Sequence, residues 1–237
     1  MSEWAPKRFW KAADVARVDT GFAVQLDGRG VKTPAKTPLV VPTEALAREI
    51  AAEWDAQVEK IDPNVMPATR MANSALDKVT IQFAEVADML AAYGDSDLLC
   101  YRAGHPVELV ARQNDKWNPM LDWAEATFGA KLEPRTGVIH APQDETAIAK
   151  LTAEVHALTA FQLAAFHDLV SLSGSLVLGL AAANALADVE EIWALSRLDE
   201  LWQEEQWGED EEATTLAERK RSEFRFAEKF YRLATET

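Results

Sequence analysis

Between Asp188 and Glu212 the chain carries eleven carboxylates, one arginine and three tryptophans in the run DVEEIWALSRLDELWQEEQWGEDEE. Residues of these types can do two things. Adjacent carboxylates such as Glu204 and Glu205 can act as general acid and base, as in a hydrolase, provided their surroundings hold the two groups at different proton affinities. A solvated acidic face does not provide that difference. Acidic groups around an indole can instead form a docking face, because tryptophan is a strong binding anchor and the charge steers an oppositely charged partner. Ile192, Leu195, Leu198 and Trp202 recur at helical spacing and suit a core-facing stripe. Glu200, Gln203 or Glu204, Trp207 and Glu211 recur on another face. Pattern alone leaves two readings of Trp207 open: an indole presented among carboxylates, or one tucked under a neighbouring helix with the acids solvating the outside.

Other reactive side chains are sparse. Gly28 and Gly30 lie in a hairpin turn, and no glycine-rich loop leads into Gly-Lys-Ser or Gly-Lys-Thr, so nucleotide hydrolysis is not expected. His156 and His167 share a helical face in a continuous helix, but about 16 Å of axial rise would separate them, too far for one metal ion. No nucleophile elbow occurs, and Cys100 could pair with His105 only if something oriented the imidazole. Cys100 reads better as a small buried hydrophobe. No cofactor and no metal site are expected. A net charge of −15 argues against a nucleic-acid partner, since such surfaces cluster Lys and Arg to displace counterions. A single cysteine fits a reducing compartment. The start MSEWAPKRFW has neither an apolar signal region nor an Arg- and Ser-rich presequence, which points to the cytoplasm.

The elements that would position these residues change character once along the chain. Before about residue 42, Phe22, Val24 and Leu26 alternate with small or polar residues, Asp27-Gly28 supplies a turn, and Val31 and Thr33 resume. Val15, Val18 and Leu39 to Val41 add strands to a small antiparallel sheet, with Pro34, Pro38 and Pro42 at edges or ends. From Thr43, an N-cap, the helical period takes over, with Leu46, Ile50 and Trp54 on one buried face of a helix through about Gln57. Further helices are expected over Ala68 to Tyr93, Val107 to Phe128 with a break near Pro119, Asp144 to Ala187 with a break near Gly174, and Ala213 to Ala234. Val138 to His140 could return to the sheet. The uncharged stretch Leu169 to Ala187 is long enough to cross a bilayer, but its serines, glycines and asparagine and the lack of a basic flank suit a buried central helix, with no membrane insertion. Ser171, Ser175, Gly179, Ala183 and Ala187 would form a low ridge on it. The expectation is an α+β fold: a small antiparallel β-rich N-terminal domain with a first helix, residues 1–60, and a larger all-helical C-terminal domain, residues 61–237.

AAEWDAQ (Ala51 to Gln57), DLLCYR (Asp97 to Arg102), Gln113, Trp117 and Pro119 followed by WAE (Trp123 to Glu125), LGL (Leu178 to Leu180) and LSRLDELWQEEQWG (Leu195 to Gly208) follow one another in an order found in one family. The chain resembles the assembly chaperones of the F-type ATP synthase that guard its alpha subunit, over about Arg8 to Glu212. The resemblance implies an ATP-independent chaperone, not an enzyme, that holds unassembled alpha subunit, prevents its aggregation and gives way to the beta subunit. It also implies a β-rich N-terminal domain joined to a helical one. Glu200, Gln203, Trp207, Gly208 and Glu211 match the family's pattern and, with Glu204, are the expected partner-binding residues; Trp54 is expected to be structural. Mitochondrial members carry an aromatic and histidine-containing run after the Trp-Gly, where this chain has Glu209 to Glu212. That difference and the chain start suit a bacterial member in the cytoplasm. A monomer is expected, since no heptad run demands a dimer. The reading from another class is a small hydrolase using carboxylates of the acidic helix.

Overall fold

The computed structural model describes residues 7–235. The extreme start of the chain, read above for targeting, lies outside them. Spatial proximity divides the chain into two units. The first runs through Phe83 and takes in Thr159–Ala165 and the chain from Lys229 onward; the second takes Ala84–Leu158 and Phe166–Glu228. The division expected at residue 60 falls inside the first of these.

In the first unit β1 (Ala13–Val18) and β2 (Gly21–Leu26) pair antiparallel with Val15 opposite Val24. Asp27 and Gly28 both take positive φ, 47° and 78°, the backbone that a two-residue hairpin matching strand twist requires. They return the chain into β3 (Arg29–Gly30), while β4 (Val40–Val41) pairs with the other end of β2. Helix α1 (Glu44–Asp55) packs on β1 and β2. The Thr43 hydroxyl caps it, accepting from the Leu46 amide at 3.2 Å, and Leu46, Ala47 and Ile50 are fully buried. The carboxylate of Glu53, from the same helix, accepts from the Ala68 and Thr69 amides at 2.6 and 2.8 Å. It thereby caps α2 (Pro67–Ser74). Trp54 is half-buried, edge-on to Trp10 with ring centroids 5.3 Å apart.

The helix expected over Ala68 to Tyr93 is three pieces: α2, a π-helical turn Ala75–Val79, and α3 (Phe83–Ala91). Thr80 accounts for the break, because its amide reaches back five residues to the Ala75 carbonyl and its hydroxyl donates to the same oxygen at 2.8 Å.

In the second unit two short 3-10 turns, Ala92–Ser96 and Leu98–Cys100, lead into β5 (Tyr101–Arg102), which pairs in parallel with β6 (Arg135–Thr136). Val138 to His140 does not join the sheet: Gly137, at φ 92°, turns the chain, and Val138 and Ile139 stand exposed. Helix α4 (Val107–Phe128) runs through Pro119 without a break. Pro119 and Asp115, whose carbonyl loses its amide partner, lie on the exposed side of the helix, where solvent can reach that carbonyl.

Where a helical stretch broken near Gly174 was expected after Asp144, three helices form: α5 (Glu145–His156), α6 (Ala160–Ser173) and α7 (Leu176–Ala183). Thr159 and Gln162 explain the first break as a reciprocal cap, the Thr159 amide donating to the Gln162 side chain at 2.8 Å and the Gln162 amide to the Thr159 hydroxyl. Gly174 at φ 71° makes the second, with Ser175 capping α7. The expected small-residue ridge is therefore discontinuous. Its working position is Gly179, where a Cβ would lie 2.7 Å from Val170. Residues Leu176 to Ala182 are all buried, so the apolar stretch is a core helix, and none of the described helices is long and apolar enough to cross a membrane. The architecture is α+β.

Asp97 ties this core together. Fully buried, its carboxylate accepts from the Leu99 and Val177 amides, each at 3.0 Å, at the start of α7. Burial outweighs those bonds and pushes its carboxyl up to about 6. Between the ordinary carboxylate value and 6 the folded chain holds a proton that the unfolded chain has released. The stability Asp97 contributes is thus complete below about pH 4 and is lost as pH rises through 6, a change on the order of 3 kcal/mol. Urea denaturation should show this fall between about pH 4 and 6 for the wild type relative to Asp97→Asn, whose side chain does not titrate.

Candidate functional site

The acidic stretch is three helices: α8 (Val189–Ser196), α9 (Leu198–Trp207) and α10 (Glu211–Thr235). The stripe of Ile192, Leu195, Leu198 and Trp202 is consequently split at Arg197. Ile192 and Leu198 are buried, Leu195 and Trp202 half-buried, and Trp193 completes the α8 core contact against Phe224.

Leu198 is the one buried residue of α9, so apolar packing alone does not hold this helix. Helix α4 does so with polar side chains. Gln113, Trp117, Leu121 and Ala124 form its buried face. The Trp117 indole donates to the Leu195 carbonyl at 2.9 Å, satisfying a group at the end of α8. The Gln113 amide bridges two segments, accepting from the Ala103 amide at 2.8 Å and donating to the Asp199 carboxylate at 2.7 Å. The Arg112 guanidinium grips Glu205 with two bonds of 2.8 and 2.9 Å and lies 4.7 Å over the Trp202 ring. Behind them the buried Arg102 stacks on Trp117 at 5.3 Å and donates to the Leu99 carbonyl and to Asn114. Burial pulls its proton affinity down, while Cys100 and Asp199 pull it up.

The carboxylates divide accordingly. On α9, Asp199 takes Gln113, Glu200 takes Arg197 at 2.9 Å, Glu204 faces the same Arg197 at 3.6 Å, and Glu205 takes Arg112, whose bonds hold its carboxyl below the usual range. Glu190 on α8 pairs with Arg221 and Arg225 of α10 at 2.6 and 2.9 Å. Past Gly208 the pattern changes. Asp210 caps α10 through the Ala213 amide at 2.8 Å, while Glu209, Glu211 and Glu212 are exposed and have no ion pair among the described residues.

Trp207, the last residue of α9, is 80% exposed. The reading that tucks it under a neighbour is excluded. Gly208 follows at φ 91°, a backbone that an L side chain rarely adopts, and turns the chain before α10. Glu211 therefore lies on α10, and its helical spacing from Trp207 does not continue one face. Of the expected partner-binding residues, Glu200, Gln203, Glu204 and Trp207 sit on α9, Gly208 is the joint, and Glu211 opens α10.

The α9 carboxylates are bound to arginines or to Gln113. Burial pushes the Cys100 thiol up to about 12, so it is not a nucleophile at neutral pH. His156 and His167 stand on separate helices, each against a carboxylate, Asp88 at 2.7 Å and Asp168 at 2.9 Å. Among the described residues no group of three or more His, Cys, Asp or Glu is placed to hold a metal. Trp54 belongs to the first unit with Trp10.

A family model described as ATP12 chaperone protein matches residues 7–125, about half the chain. The chain belongs to the ATP12 chaperone family. The crystal structure of Atp12 from Paracoccus denitrificans is 49% identical with a TM-score of 0.94, covering 96% of this chain and 98% of that one. A putative chaperone from Agrobacterium tumefaciens is 45% identical with a TM-score of 0.91, over 96% and 85% of the two chains. Among curated relatives, mitochondrial atp12 of Schizosaccharomyces pombe is 27% identical over 219 residues, 87% of this chain and 75% of that protein. This is a bacterial ATP12 homologue.

Gln113 and Trp117 were visible in the sequence as family residues, and their task is to seat the α8–α9 segment. Arg112 gave no signal beyond its place beside Gln113, since its partner Glu205 lies 93 residues away. Gln113→Ala should cost about 1–3 kcal/mol by leaving the Ala103 amide and Asp199 without their partner. Trp207→Ala should change stability by less than about 0.5 kcal/mol. Thermal and urea denaturation of both variants check this.

Proposed function

We propose that this ATP12-family chaperone binds the unassembled alpha subunit of the F-type ATP synthase catalytic sector, prevents its aggregation and is displaced by the beta subunit. Family membership supports a role in ATP synthase assembly. The observation that carries the client reading is Trp207, an indole left 80% exposed beside three unpaired carboxylates, Glu209, Glu211 and Glu212. Exposing so large an apolar group costs solvation free energy that a partner would recover.

The docking surface comprises Glu200, Gln203, Glu204, Trp207, Gly208 and Glu211. Charge at the joint speeds encounter with a basic rim on the client, and burial of Trp207 supplies affinity. Hydrolysis is not required, because beta can displace the chaperone by forming a larger and tighter contact with alpha. The chaperone acts as a monomer in the bacterial cytoplasm, without cofactor, and is not an enzyme. The hydrolase reading receives no support from the geometry, since the α9 carboxylates are engaged by Arg197, Arg112 and Gln113.

Tagged chaperone should recover alpha from cells expressing separate alpha and beta subunits, suppress aggregation of alpha, and release it when beta is added. Trp207→Ala should weaken capture roughly tenfold or more with melting unchanged. Replacing Glu209, Glu211 and Glu212 by Gln should slow association and flatten its dependence on salt. Failure of the wild type to bind soluble alpha would overturn the proposal.

A further inference from the structure

We infer that Arg112 is the positioning residue of the docking helix, fixing where α9 presents Trp207. The inference rests on the docking surface proposed above, and its geometry is independent of the client. Helix α9 has ten residues and buries only Leu198, so its orientation about its own axis is weakly determined by packing. Two contacts with α4 determine it. Gln113 holds the first turn through Asp199 at 2.7 Å. Arg112, the next residue on α4, holds the middle of the helix twice. Its two terminal nitrogens bind the two oxygens of Glu205 at 2.8 and 2.9 Å, and its carbon centre lies 4.7 Å from the centroid of the Trp202 ring.

Glu205 and Trp202 are three positions apart, neighbours on one helical face. A planar cation that bonds one and stacks on the other fixes both the rotation and the axial position of that face. Trp207 then follows two residues after Glu205, on the side that Arg112 leaves free. Lysine cannot substitute, because a point charge offers neither the two-pronged grip nor a plane to stack. Arg112 touches no client in this account; it acts through α9.

Hydrogen exchange of the full-length protein tests this without any client, and alpha-subunit capture tests the consequence. In Arg112→Ala and in Arg112→Lys the amides of α9 should exchange several-fold faster, while those of α5 and α7 keep wild-type protection and the melting temperature holds. Both variants should capture alpha more weakly. Exchanging the pair, Arg112→Glu with Glu205→Arg, should restore part of the α9 protection and part of the capture, a rescue that general destabilisation would not give. Unchanged α9 exchange in Arg112→Ala, acceleration shared equally with α5 and α7, or wild-type protection in Arg112→Lys each overturns the inference. If the wild type fails to bind alpha, the client reading falls, and the exchange pattern still decides whether Arg112 positions α9.

Discussion

The structure depends on a conflict that α9 has to resolve: a helix that keeps a large apolar side chain in water cannot also be held mainly by apolar burial. Spreading hydrophobic residues around it would bury Trp207 or leave several faces sticky. The chain resolves the conflict with polar anchors from α4. Gln113, Trp117 and Arg112 lie within two turns of one helix, and each reaches a different part of the segment from Leu195 to Glu205. The remainder of the second unit supports α4 in turn. Arg102 braces Trp117 from behind, and β5, which carries Arg102, follows the turn that the buried Asp97 caps.

One consequence concerns charge. The sequence concentrates carboxylates from Asp188 to Glu212, and composition alone treats them as one acidic patch. The fold sorts them. Asp188, Glu190 and the four carboxylates of α9 are engaged by arginines, by Gln113 or by a backbone amide, and act as fasteners, while Glu191 is exposed. Those that follow Gly208 are mostly free, and they lie next to the exposed indole. Unpaired negative charge thus follows the exposed indole along the chain, an arrangement that would let long-range attraction and short-range burial act together at the proposed docking surface.

Local rules made much of the fold legible. Thr43 as a cap, Asp27-Gly28 as a hairpin turn, Gly174 as a helix break, and the apolar run before Asp188 as core helix all depend on neighbours in sequence, and each is found. What escaped was set by tertiary partners or by solvent. Pro119 reads as a breaker, yet it sits on a wet face where a lost bond is cheap. The joint at Arg197 carries no proline or glycine, and nothing in the hydrophobic period marks it. Trp207 and Gly208 stood out as residues of interest, but whether the indole faced water could not be read from a spacing. Arg112 was invisible because an ion pair spanning 93 positions leaves no local trace.

The free carboxylates beyond Gly208 also bear on what the protein avoids. An exposed indole on a rigid helix invites a second copy of the same chain to cover it, and a two-fold pairing through Trp207 would be the simplest closed contact. Such a pairing would bring Glu209, Glu211 and Glu212 of each copy against their own images, two triads of like charge meeting as water is excluded. On the proposed docking surface the same carboxylates would therefore act as gatekeepers against self-association, leaving the adhesive face open in a crowded solution without gluing the molecule to itself.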